Sequence, residues 1–161
     1  MKRIIVIGCP GSGKSTFARK LRDKTGLPLY HLDMLWHKPD KTHITREEFD
    51  DLLESILDTP TWIIDGNYSR TMERRLQECD TVFWLDLPTN LCLQGVQKRI
   101  GVKREDIPWV EDVFDDEFRE FIIQFPNLES PGIYTLLEKY PEKSIVIFHS
   151  HAEIDQYFKA L

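Results

Sequence analysis

The chain has 161 residues, with 41% hydrophobic and 30% charged side chains, which is enough for one domain with a real core. Disordered tails, collagen-like chains and disulfide-knotted miniproteins are excluded by that balance. With 21 Lys plus Arg against 27 Asp plus Glu, the net charge is −6, a poor basis for gripping a phosphate backbone. Direct nucleic-acid binding is therefore not expected. The three cysteines, Cys9, Cys79 and Cys92, form no CxxC pair and suit a reducing compartment. No apolar run approaches the length of a secretory core or of a membrane span, about 20 residues, so a cytoplasmic protein with no membrane partner is expected, as a monomer or homodimer.

Short β-rich runs alternate with helical periods, which predicts an α/β fold on a parallel sheet. Neither repeats nor a linker divide the chain, so residues 1–161 are expected to form one domain. Ile4 to Ile7 reads as a strand buried on both faces. A glycine-rich turn follows, then a helix from about Lys14 to Lys24, with Gly26 just past its end and cations in its last turns. Pro28 to Leu32 is a second strand. Thr45 and Glu48 form a capping box for a helix whose apolar stripe is Phe49, Leu52, Leu53, Ile56 and Leu57. Trp62 to Asp65 is a third strand, Ser69 to Glu78 a helix, and Thr81 to Leu87 a fourth strand. Leu91 to Ile100, Glu111 to Gln124 and Ile133 to Tyr140 read as helices. Ser144 to Phe148 is a fifth strand, and a last helix starts near Ala152.

Gly8-Cys9-Pro10-Gly11-Ser12-Gly13-Lys14-Ser15 matches the phosphate-loop pattern G-x-x-x-x-G-K-[ST] in full. Bound phosphate would crowd the backbone at Gly8 and Gly13. Successive N–H groups then form an anion nest at a helix N-terminus. Lys14 would reach the β and γ phosphates, and the Ser15 hydroxyl would bind Mg²⁺. Gly8, Pro10, Gly11, Ser12, Gly13, Lys14, Ser15 and Thr16 are the expected ATP-binding residues. Cys9 reads as a small loop residue.

Phosphoryl transfer is mostly positioning and charge neutralisation, so further acids and arginines are expected nearby. Asp65 ends a buried strand, where it either joins Ser15 at a metal or turns the chain before Gly66. Asp33 ends the second strand, as an acceptor-binding acid or general base, as an N-cap, or as both. Arg70, Arg99, Arg104 and Arg119 are candidate phosphate clamps. Trp36, His37, Tyr68 and Trp109 either stack on a ligand ring or pack the core. No histidine shows metal-ligand spacing.

These segments resemble the adenylate-kinase-like branch of P-loop kinases, and within it the small DNA topology modulation, or FlaR-related, proteins. The matching residues are Gly8 to Thr16, Tyr30-His31-Leu32-Asp33, Trp62 to Tyr68, Asp80 to Pro88 and the helix ending Lys98-Arg99. The resemblance runs nearly end to end. It implies a three-layer α/β/α fold with five parallel strands in the order 2-3-1-4-5 and a helical lid at about residues 100–125. It also implies Asp65 near Mg²⁺, Arg70 near acceptor or transferred phosphate, Arg99 at the opening of the lid, and residues 150–152 near adenine. Two features depart from that family: the acceptor segment, about residues 33–60, does not read as a nucleoside-monophosphate site, and the lid is acidic. The expected activity is ATP-dependent phosphoryl transfer to a small hydroxyl or phosphate acceptor, with Lys14, Asp33, Arg70 and Arg99 as catalytic residues. An ATP-binding regulatory protein with little turnover is the alternative.

Overall fold

The structure, a computed structural model, describes residues 1–161. Its frame is a sheet of five strands: β1 (Arg3–Gly8), β2 (Leu29–His31), β3 (Trp62–Asp65), β4 (Thr81–Leu85) and β5 (Ser144–Phe148). All neighbours are parallel, in the order β2-β3-β1-β4-β5. Helices cover both faces, which is why β1, β3 and β4 are unbroken apolar runs rather than alternating ones. Ile4, Ile5, Val6 and Ile7 are wholly buried, as are Trp62, Ile63, Ile64, Val82, Phe83 and Trp84.

Eight helices complete the chain: α1 (Lys14–Thr25), α2 (Leu32–Trp36), α3 (Arg46–Leu57), α4 (Ser69–Glu78), α5 (Thr89–Arg99), α6 (Asp116–Leu128), α7 (Ser130–Glu138) and α8 (His151–Ala160). Both halves of the α3 capping box form: Thr45 Oγ1 accepts from the Glu48 N–H, and the Glu48 carboxylate accepts from the Thr45 N–H. Gly26 ends α1 at φ +72°. Phe17 of α1 packs on Phe83, Phe148 and Phe158, an aromatic cluster that fixes α1 and α8 to one side of β4 and β5. None of the helices is long and apolar enough to cross a membrane.

Two helices differ most from the sequence reading. Asp33 is not a cap: His31 holds the N-cap position of α2, and Asp33 lies inside its first turn. The helix expected from Glu111 starts at Asp116, because Asp115 caps it by accepting the Phe118 N–H at 2.7 Å. Residues 100–115 are irregular, and Val113, inside the expected helix, is 67% exposed. The same helix runs through Pro126 to Leu128, since a proline this close to a C-terminus removes only one N–H bond.

Candidate functional site

In open α/β sheets, ligand crevices lie beyond the carboxyl ends of the strands. Here those ends belong to β1, β2 and β3, and register sets the last residues of β2 and β3 side by side next to β1: His31 pairs with Asp65, and Asp65 pairs with Val6, two residues before β1 ends. The phosphate loop leaves β1 at this point.

Within the loop, the Ser12 N–H donates to Cys9 O at 3.0 Å, and α1 begins at Gly13 with no capping side chain. Its first N–H groups are left to a ligand. Gly13 holds φ +92° with open space where a Cβ would stand, so what the protein itself demands there is the backbone conformation. Gly8 is sterically required by the protein itself, since a Cβ there would lie 2.8 Å from Leu85 O. Gly11 is tighter still: at φ +82°, its Cβ would meet Cys92 O at 2.0 Å. In return, a Cβ on Gly95 would strike Gly11 O at 2.0 Å. The loop is thus seated directly on the backbone of α5. Cys9 is buried, and contact with Cys92 and burial push its thiol up, away from the reactive thiolate that a helix N-terminus would favour.

Lys14, Ser15 and Thr16 line a cleft of about 470 Å³ that also receives Arg99, Arg104 and His151. The Ser15 hydroxyl donates to Asp65 Oδ2 at 2.8 Å and lies 3.1 Å from Asp106 Oδ2. One hydroxyl proton therefore faces two carboxylates. Asp65 is 4% exposed, and its Oδ2 also meets His31 Nδ1 at 2.6 Å. Its second oxygen, Oδ1, is buried without a partner. Of the two roles open to Asp65 in the sequence, the turn is made by the Gly66 and Asn67 that follow, while its carboxylate points at Ser15.

Asn67 is a structural partner that sequence reasoning missed. Its side-chain amide grips Gly8 on both sides, accepting from Gly8 N–H at 3.0 Å and donating to Gly8 O at 2.7 Å. Arg75 is the second. Wholly buried, it donates to the carbonyls of Gly66, Asn67 and Tyr68. Burial pulls its pKa down to about 10, still charged at neutral pH. This supports Tyr68 at φ +39°, a strained backbone for a bulky residue that surrounding structure must hold. Tyr68 in turn donates from its hydroxyl to Asp33 Oδ1 at 2.6 Å, and burial beside that carboxylate pushes the phenol up.

The arginines divide. Arg99 and Arg104 reach the cleft, each paired with Glu111, and Arg104 also clasps Asp106 through two bonds at 2.8 and 3.0 Å. Arg104 holds the Asp106 carboxyl far below the usual carboxylate range, against the effect of its burial. Burial, opposed in part by Glu111 and Asp33, lowers Arg99. Arg70, expected beside phosphate, faces α3 instead, where it binds both oxygens of Asp50 at 2.8 and 3.1 Å. Arg119 stays exposed against the Phe114 ring. Among the aromatics, Trp36 stacks on His43, Phe49 on Tyr68, and Trp109 from the lid meets the edge of His37.

A kinase-type sheet order with a glycine-rich loop of phosphate-loop pattern seated between β1 and α1 defines the P-loop kinase-like fold. Residues 4–92, just over half of the chain, match the family model described as the viral superfamily 1 RNA helicase core domain. By that match the chain belongs to this family through its P-loop half, from β1 to the start of α5. Over 91 residues, 53% of its length, the chain is 29% identical to an adenylate kinase of Thermotoga neapolitana. It spans about two-fifths of the length of the curated relatives it matches, 39% of that kinase. Among solved structures, a shikimate kinase from Bacteroides thetaiotaomicron superposes with a TM-score of 0.58 at 17% identity, covering 99% of this chain and 95% of that one. A sugar kinase from Janibacter sp. HTCC2649 gives 0.54 at 18% identity, covering 99% and 93%.

Proposed function

We propose that this protein is an ATP-dependent small-molecule kinase. The observation that carries the reading is the joint placement of a ligand-ready phosphate loop and the Ser15–Asp65 pair at the ends of β1 and β3. The kinase relatives and structural neighbours support it.

Mg²⁺ fits the residues present. It takes hard oxygen ligands, and Asp65 offers a buried Oδ1 with no partner beside the Ser15 hydroxyl that meets its Oδ2. Ser15 and Asp65 would hold it, and once bound it neutralises charge on the β and γ phosphates. The main-chain amides of Gly11 to Thr16 cradle the phosphates. Lys14 places an ammonium against the transferring group. Arg99, at the lid base, clamps its outer oxygens. Asp33, oriented by Tyr68, accepts the hydrogen bond of the acceptor hydroxyl and orients it for in-line attack. Arg70 has no share in this arrangement while Asp50 holds it.

Titration calorimetry with Mg-ATP and an ADP-release assay over candidate acceptors test the reading. Heat of binding and acceptor-dependent ADP release are expected, and absence of nucleotide binding overturns it. A second reading, an ATP-binding regulator with little turnover, draws on one observation: Asp106 and Glu111 already neutralise Arg104 and Arg99. Turnover above ~1 per second, the low end for kinases, excludes it. The segments Tyr30 to Asp33 and Trp62 to Tyr68 further support a place among the DNA topology modulation, or FlaR-related, proteins. A direct DNA or RNA contact is not part of the proposal, given the net charge of −6; a salt-titrated binding assay that found affinity would reverse this.

A further inference from the structure

On the kinase reading above, the charges around the acceptor side narrow the acceptor. We propose that it is a hydroxyl compound bearing no phosphate, either neutral or positively charged, such as a sugar, nucleoside, polyol or amino alcohol.

A phosphate-bearing acceptor needs free cations, usually arginines that bind it with two parallel bonds. The arginines of α4 are committed elsewhere. Arg70 spends both terminal nitrogens on Asp50. Arg74 spends its guanidinium on both oxygens of Glu54 and on Glu78. Arg75 is sealed in on three backbone carbonyls. The flanking segments oppose an anion too. Residues 33–60 hold eight acids against Lys38, Lys41 and Arg46, and residues 100–125 hold eight against Lys103, Arg104 and Arg119. Arg104 is spent on Asp106 and Glu111. Arg99 lines the phosphate-loop cleft, where the transferring phosphoryl requires it.

What remains on this side suits a hydroxyl. Tyr68 donates to Asp33 Oδ1, which fixes the carboxylate and leaves Oδ2 to accept from an acceptor O–H. His37 and Trp109 meet edge to face between the acceptor segment and the lid. Aromatic faces of this kind take the C–H face of a sugar or polyol, or a cationic nitrogen, without help from an anion-binding group.

The test uses the full chain saturated with Mg²⁺ and the β,γ-imido analogue of ATP. Binding is measured by thermal shift and calorimetry for matched pairs: thymidine and its 5′-phosphate, ribose and ribose 5-phosphate, glucosamine and glucosamine 6-phosphate, choline and phosphocholine. The expected result is at least one hydroxyl member that binds about tenfold or more tightly than its phosphate. Asp33→Asn should weaken that member while leaving analogue binding unchanged. Preference for phosphate members, or binding by no hydroxyl member, overturns the proposal. If the analogue itself gives no heat, the kinase reading has failed, and the acceptor class falls with it.

Discussion

The phosphate-loop half and the acceptor half of this site are made by different means. On the first side, backbone does the work. Gly8, Gly11 and Gly13 shape the loop, Asn67 grips it, and α5 presses against it with no room for a methyl group. On the second side, side chains do it: Asp33, Tyr68, His37 and Trp109 stand on α2, a strained turn and an irregular lid segment. On the proposed function, main-chain amides would recognise what all nucleoside triphosphates share, and side chains on short elements would set which acceptor enters. The contrast explains why the kinase relationship is visible at 29% identity over half of the chain while the acceptor is not.

Arg75 joins the two halves, because its carbonyl partners carry both Asn67 and Tyr68. Replacing it by Met leaves buried carbonyls unpaired and should cost about 3–5 kcal/mol in urea unfolding. A smaller loss would mean that the turn supports itself and that the halves are independent. Lys14→Ala strikes the phosphate side alone. It should lower kcat/KM by about 10²–10³ with an unchanged unfolding midpoint, and retained turnover would remove the lysine from the mechanism.

Asp106→Asn acts on the lid. Arg104 depresses the Asp106 carboxyl in the folded state, so its stabilisation is fully present above the unfolded value, about 3.9, and is lost as pH falls through the lower folded value. The variant should lower Tm at pH 7 by about 2–4 °C, equivalent to ~1 kcal/mol. Its Tm should also fall less steeply than wild type between about pH 4 and pH 2. Equal slopes would show that the pair does not hold the lid. The smallest effect belongs to Arg70→Ala. An exposed pair contributes about 0–1 kcal/mol, and kcat/KM should change by less than about threefold. A loss near that of Lys14→Ala would return Arg70 to the phosphate clamp.

The sequence was readable where structure is local. The β1 run, the loop pattern, the α3 capping box and the β5 boundaries each depend on residues within a few positions of one another. The sheet order came instead from resemblance to a family. What escaped reading depends on distant contacts. Asn67 meets Gly8 across 59 positions, Asp106 meets Ser15 across 91, and the fit of Gly11 on Gly95 has no signature beyond the two glycines. The position of His31 beside Asp65 follows from strand register, which no single segment reveals. Arg70 was misplaced for a related reason. Its neighbours recommended a phosphate, but Asp50, twenty positions earlier, captures it. The helix that the sequence places from Glu111 starts later, because the Asp115 cap and the ion pairs of Glu111 hold the preceding segment irregular.

One contact reaches further than its size suggests. Gly11 rests on Gly95, and four residues beyond Gly95 the same helix ends at Arg99. Eleven residues of α-helix form a rod about 16 Å long, fastened at mid-length to the nucleotide cradle and tipped with the cation that anchors the lid. The loop and Arg99 therefore share one rigid element, and a substitution at Gly95 that pushed α5 away from Gly11 would displace Arg99 with it.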